Sequence, residues 1–256
     1  MIALRDRRNS DLTIPMQDCF KPTGRMMTAS QPFARWGRGL RLIVLAVIFG
    51  PLLSSCAHMS KLTDSGRNGP FFTPQNFAGD KTLSASIRRV LVMPVYGGSV
   101  AEGEVTLVLD EVMMGALQKQ ARFEVVALPR DDCQRRVGRM EIASVALLPN
   151  GFLDELGKAY GVDAVLFIDL TIYHPYGALA VGFRAKLATT HEVRLIWSFD
   201  DAFSLANPSV VNSVYRYSRA GGSTQAPIDM TLGTLQSPRR FAAYAADAMF
   251  GTLPPR

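Results

Sequence analysis

The sequence predicts an α/β fold, a single sandwich domain with a mixed sheet of about five strands and helices packed mainly on one face. Three observations predict it. Short apolar runs alternate with amphipathic segments between Arg89 and Tyr160, three consecutive alternating strands follow, and a capped apolar helix closes the chain. The expected order is strand, helix, strand, helix, three strands, helix, within a globular domain spanning residues 87–256.

Each element has its own signature. Arg89-Val90-Leu91-Val92-Met93-Pro94-Val95 is a short apolar run ending near glycines, as a buried strand does. From Gly103 to Gln120, Val105, Val108, Leu109, Val112, Met113, Ala116 and Leu117 keep helical spacing. Phe123 to Leu128 reads as a second strand ended by Pro129. After a polar stretch with Arg135, Arg136 and Arg139, Asn150 to Tyr160 reads as a helix with Asn150 as N-cap and Gly161 as stop. Ala164 to Tyr173 is the most apolar strand and belongs in the middle of the sheet. Beyond the turn His174-Pro175-Tyr176-Gly177, Leu179, Val181, Phe183, Ala185 and Leu187 alternate with Gly182, Arg184 and Lys186. Val193, Leu195, Trp197 and Phe199 alternate in the strand after that. Residues 206–236, rich in Pro, Ser, Gly and Asn, read as a long loop. The last helix has Ser237 as N-cap, Pro238 in the first position and Gly251 as stop.

Ahead of this domain, residues Leu42 to Leu53 form a run of 12 largely apolar residues that follows Arg35, Arg38 and Arg41 and leads into Ser54-Ser55-Cys56. A basic region, a short apolar region and small residues before a cleavage point make a secretory signal. The run is short of the roughly 20 residues needed to span a bilayer as a helix, and Gly50-Pro51 interrupts it. Leu53-Ser54-Ser55-Cys56 resembles the lipobox of bacterial lipoproteins. That resemblance implies cleavage between Ser55 and Cys56, a diacylated Cys56 thiol and an acylated new N-terminus, with palmitate an expected chain. Residues 1–55 are then a signal peptide, whose true start is Met26 or Met27 if the polar Met1 to Arg25 is not translated. Residues 56–86, rich in Ser, Thr, Gly, Asn and Pro, read as a lipidated N-terminus and flexible tether that Phe71, Phe72 and Phe77 could dock in part. A coil of thirty residues reaches roughly 30 Å.

The formal net charge of +6 belongs mostly to the leader. Removing residues 1–55 leaves 20 basic and 19 acidic residues, so no electrostatic footprint for nucleic acid remains and none is expected as a partner. Of the cysteines, Cys19 leaves with the leader and Cys56 carries lipid, so Cys133 is a lone thiol beside Asp131 and Asp132. Reactive thiols sit in electropositive surroundings, so Cys133 is expected to be inert.

Val90-Leu91-Val92-Met93-Pro94, Phe123-Glu124-Val125-Val126 and Tyr160-Gly161-Val162-Asp163-Ala164-Val165-Leu166 resemble elements of envelope lipoproteins, including the curli-secretion family and the activators of penicillin-binding proteins. Their shared domain is like the N-terminal domain of TolB. The resemblance covers about residues 88–250 and implies a lipid-anchored, periplasm-facing accessory protein. Ala57 replaces the aspartate associated with inner-membrane retention in enterobacterial sorting, which implies the outer membrane. The curli-secretion resemblance also implies a self-assembling ring as an alternative, although a spanning strand needs about 9–11 alternating residues and both suitable segments are required by the domain's own sheet.

Chemistry-bearing patterns are sparse. Gly98-Ser99-Val100-Ala101-Glu102-Gly103-Glu104 has the glycine spacing of a phosphate loop, but Glu104 stands where a lysine is needed. His58, His174 and His191 show no metal-ligand spacing, so neither a metal nor another cofactor is expected. Asp169 inside an apolar strand reads either as a shifted acid or as a hydrogen-bonded strand residue. No nucleophile elbow, carboxylate pair or dinucleotide fingerprint is present. Tyr173, His174 and Tyr176 form a candidate partner-binding loop. The leading expectation is therefore a non-enzymatic adaptor in envelope assembly, secretion or wall synthesis. The alternative is a hydrolase or ligand-binding protein with a site under residues 206–236.

Overall fold

The computed structural model describes residues 69–101, 103–220 and 233–256. Ser55 and Cys56 lie outside the described residues. The strands are β1 (Phe77–Gly79), β2 (Arg89–Val92), β3 (Glu124–Ala127), β4 (Ala164–His174), β5 (Ala180–Thr189) and β6 (Leu195–Ser204). The helices are α1 (Gly103–Lys119), α2 (Arg130–Val137), α3 (Phe152–Tyr160), α4 (Pro208–Ala220) and α5 (Pro238–Gly251). The strands form one mixed sheet in the order β1-β6-β5-β4-β2-β3. β2 pairs in parallel with β3 and β4, and β4, β5 and β6 form the expected antiparallel meander.

The alternation within the strands divides the core. Val90, Val92, Leu166, Ile168, Phe183, Ala185 and Phe199 face α1, α4 and α5 on one side. Leu91, Met93, Val165 and Phe167 face Cys133 of α2 and Phe152, Leu153 and Leu156 of α3 on the other. Helices thus cover one face fully and only the parallel half of the second. An aromatic chain fills the fully covered side, with Phe203 stacked on Phe199 at 6.4 Å and edge-on to Tyr244 at 5.9 Å. Trp197 is buried and donates from Nε1 to Thr252 Oγ1 at 3.2 Å.

Capping follows local chemistry with one shift. Ser237 accepts from the Arg240 amide at 3.4 Å, as its position before Pro238 predicts. Gly161 ends α3 with φ 61°. The N-cap of α3 is Gly151 at φ 78°, not Asn150. Gly157 in α3 serves close packing instead, because a Cβ there would come within 2.9 Å of the Thr190 side chain.

Two expectations about loops are corrected. The tether does not extend to residue 86, because the described segment from Gly69 onward is pinned to the domain. Phe77–Gly79 adds a sixth strand against β6. Phe72 donates its amide to Ser209 O and Ser213 Oγ and packs edge-on to Phe203 at 5.3 Å. Leu83 is buried. Within residues 206–236, Pro208–Ala220 is helical, because Val210 and Val214, one turn apart, enter the core. A polar stretch after Pro129 is likewise the helix α2, which buries only Cys133.

One guanidinium ties the layers together where β2 runs out between β3 and β4. Arg130, at the start of α2, donates from Nε to Asp110 Oδ2 of α1 at 2.7 Å and from Nη1 to Glu141 Oε2 at 2.7 Å. Its Nη2 donates to Val95 O at 3.0 Å and to Asp110 Oδ1 at 3.1 Å. Burial works against this charge, but the hydrogen bonds and charges of Asp110 and Glu141 outweigh it and raise the Arg130 pKa above its ordinary value.

Two outcomes test this architecture. A chain starting at Ile87 loses Phe72, β1 and Leu83, and urea denaturation should find it about 3–6 kcal/mol less stable than one starting at Gly69. Equal midpoints would mean that the segment only decorates the surface. Arg130→Met leaves two carboxylates facing each other, each about a quarter exposed. The loss should be about 3 kcal/mol, the lower end for breaking a buried pair, read in the same denaturation experiment.

Candidate functional site

The connection between α2 and α3 has no regular structure, yet it is fixed at two points three residues apart. Glu141 reaches Arg130 with one oxygen, and with Oε1 it accepts from the amides of Gly97 at 3.0 Å and Gly98 at 3.4 Å. Ser144 donates its amide and hydroxyl to Asp169 at 2.7 and 2.6 Å. Lys186 Nζ donates to Ser144 O at 3.1 Å. Between the two, Ile142 is buried in the second core.

Asp169 therefore has a plain account. It is only 4% exposed within an apolar strand, and it is kept there because its two oxygens receive both Ser144 donors. Of the two readings open in the sequence, the hydrogen-bonded one describes its contacts.

The pinned connection presents apolar side chains outward. Leu147 is fully exposed, Val145 is 60% exposed and Met140 is 55% exposed. Val145 stands beside the part of the second sheet face that no helix covers. There Asp169, Arg184 and Asp200 lie opposite one another across β4, β5 and β6. Arg184 Nε donates to Asp200 Oδ2 at 2.8 Å. A groove of about 260 Å³ on this face is lined by Val145, Arg184, Lys186, Ser198 and Asp200. The surface thus sets the exposed Val145 next to a charged floor.

A second crevice is mostly apolar in its lining. At the end of β2, where bound ligands are common in α/β sheets, a crevice of about 360 Å³ is lined by Val92, Leu107, Met113, Met114, Leu128 and Arg130. Arg130 and Asp110 there are already paired with each other. The glycine loop after β2 is not a phosphate cradle, since the Glu141 carboxylate takes the two amides that an anion would need. Cys133 is buried, and burial pushes its thiol up, with Arg130 countering and Glu141 adding to the rise. Among the described residues no cluster of His, Cys, Asp and Glu could hold a metal ion. No helix among them is long and apolar enough to cross a membrane.

The structure keeps Tyr173, His174 and Tyr176 together at the β4–β5 turn, away from this patch. Tyr176 is 88% exposed, whereas Tyr173 is half-buried beside Val105, Val108 and Pro238. Burial, aided by Tyr176, pushes the Tyr173 phenol up, so it stays neutral. Sequence reading missed the Ser144–Asp169–Lys186 junction. The available signal was a carboxylate in the middle of the most apolar strand, but its partner is 25 residues away.

No known family model matches the sequence, and neither does any curated protein. Among solved structures, the chain is similar to lipoprotein GNA1162 from Neisseria meningitidis, at 20% identity over 47% of this chain and 85% of that one, with a TM-score of 0.37. It is similar to the PelC dodecamer from Paraburkholderia phytofirmans at 10% identity over 70% and 95% of the two chains, TM-score 0.41. The LpoB C-terminal domain from Salmonella enterica matches at 19% identity over 47% and 84%, TM-score 0.32.

Proposed function

We propose that this chain is a lipid-anchored, periplasm-facing accessory protein of the bacterial envelope, attached to the outer membrane through Cys56, that works by binding another envelope protein and not by catalysis. The observation that carries the binding role is the pinned connection around Ser144. A fully exposed Leu147 on a mobile loop would be unremarkable, since single exposed apolar residues are common. Here Leu147 and Val145 project from backbone fixed by a buried carboxylate and an ammonium, so little ordering entropy is lost when a partner covers them.

The adaptor reading is also supported by the state of the polar groups. Arg130, Asp110, Glu141 and Asp169 are engaged with one another or with backbone and Ser144 donors. The alternative of a hydrolytic site under residues 206–236 has no support in the described part of that segment, where α4 packs on the core. The anchor rests on the lipobox-like Leu53-Ser54-Ser55-Cys56. Acyl chains at about 0.8 kcal/mol per buried methylene give stable attachment when two or more are present.

A photo-crosslinking residue placed at Leu147 in the full chain, in cells, should capture one reproducible envelope protein. Val145→Asp with Leu147→Asp should lower capture of that protein from a second crosslinking position at Met140 by at least about tenfold, the effect of losing ~1.4 kcal/mol, while leaving the melting temperature unchanged. No reproducible adduct, or capture unaffected by the two aspartates, would reject this surface as the binding site.

A further inference from the structure

The pinning of residues 69–86 determines which end of the domain meets the membrane. Phe72 is bonded to Ser209, just past the end of β6, and Asn212 donates to Pro70 O at 3.0 Å. The chain therefore enters at the end of the sheet where β6 finishes. Ala180 lies opposite Ser204 there, and the Leu205 amide donates to Leu179 O at 2.9 Å. The β4–β5 turn and the point of entry thus share one end. The β5–β6 turn, with His191, Glu192 and Val193, is at the other.

Only 12 residues separate Cys56 from Gly69. Twelve residues reach at most about 45 Å when fully drawn out. A domain of this size is about 40 Å across. Bringing the β5–β6 turn against the bilayer would need the connecting chain near its limit, whereas the β4–β5 turn is in easy reach.

We propose that the β4–β5 turn is a lipid-surface contact, with Tyr176 entering the headgroup layer while Cys56 holds the chain to the bilayer. Tyr176 is 88% exposed at the tip, between Pro175 and a Gly177 at φ 70° that closes the turn. An exposed phenol ring with a polar tip suits the membrane interface, where tyrosine is enriched. Tyr173 supports the turn from beneath, packed beside Val105 and Pro238. The occupant follows from the length and entry point of the connecting chain, which put lipid next to this turn.

This inference rests on the lipid anchor of the proposed function, so the test separates the two. The full chain carrying Tyr176→Cys, or Glu192→Cys at the opposite end, is purified with its lipid and labelled with an environment-sensitive fluorophore. The buried Cys133 thiol should not compete, which the unlabelled parent checks. Each protein is placed in phosphatidylethanolamine and phosphatidylglycerol vesicles containing a headgroup-level nitroxide lipid. Quenching at position 176 should exceed that at 192 by at least about threefold. If the protein floats with the vesicles but the two positions are quenched alike, the contact is overturned and the turn is left free for a protein partner. If the protein carries no lipid mass and does not float, the anchor reading falls and this contact falls with it.

Discussion

The Arg130 guanidinium is the constraint on which the arrangement depends. It stands where β2 ends between two parallel neighbours and where helices depart to opposite faces, and it gathers Asp110 from α1, Glu141 from the α2–α3 connection and the Val95 carbonyl around one charge. A planar group with five donors makes four hydrogen bonds here, one more than the three donors of a lysine allow. Asp110 also accepts the Val95 amide at 2.8 Å, so the backbone leaving β2 is held through both its donor and its acceptor. Through Glu141 the same charge closes the glycine loop. A loop that would otherwise offer free amides to an anion is turned into a support for the α2–α3 connection.

That support explains why the exposed apolar residues form a surface and not a loose end. Glu141 and Ser144 are only three residues apart, and each is fixed to a different strand region, the first near the end of β2 and the second to β4 and β5. Ile142 fills the space between. The residues that follow must leave from a fixed direction, which carries Val145 over the sheet. The uncovered sheet face beside them has its own cause. Parallel strands need helical crossovers, which cover both faces of that half, whereas the β4–β5–β6 meander is closed by short turns and needs no helix of its own. Its second face therefore stays wet, and Arg184, Lys186, Ser198 and Asp200 occupy it.

Much of the fold was legible because it depends on local periodicity. The three meander strands, α1 and the Ser237-Pro238 start of α5 show their burial pattern and caps within ten to twenty residues. Elements that depend on distant partners were not. β1 has three residues and no apolar run, and it is a strand only because Phe77, Ala78 and Gly79 find the edge of β6 more than a hundred residues later. In α2 a single buried residue, Cys133, leaves almost no amphipathic signal. In α4, Pro208, Ser209, Asn212 and Ser213 give the composition of a loop, and only the two valines one turn apart betray the helix. The candidate site divides the same way. The aromatic turn around Tyr176 could be read as a turn, while Ser144 had no distinguishing neighbour in the sequence.

The short β1 also bears on what the docking patch can reach. With the chain tied down from Gly69, the proposed anchor at Cys56 would let the domain move only a short way, so a partner would have to come to it. Along β4 the row containing Asp169 lies five residues below His174, a distance of about 17 Å at 3.3–3.4 Å per strand residue. Were the β4–β5 turn on the lipid as proposed, the patch around Val145 would face sideways at about that height and not outward into the periplasm. A partner fitting that proposed placement would have its own surface close to the bilayer, as a membrane-embedded or membrane-anchored protein does. A long flexible tether would have favoured a partner across the envelope instead, and the hydrogen bonds of Phe72 and the pairing of β1 are what shorten it.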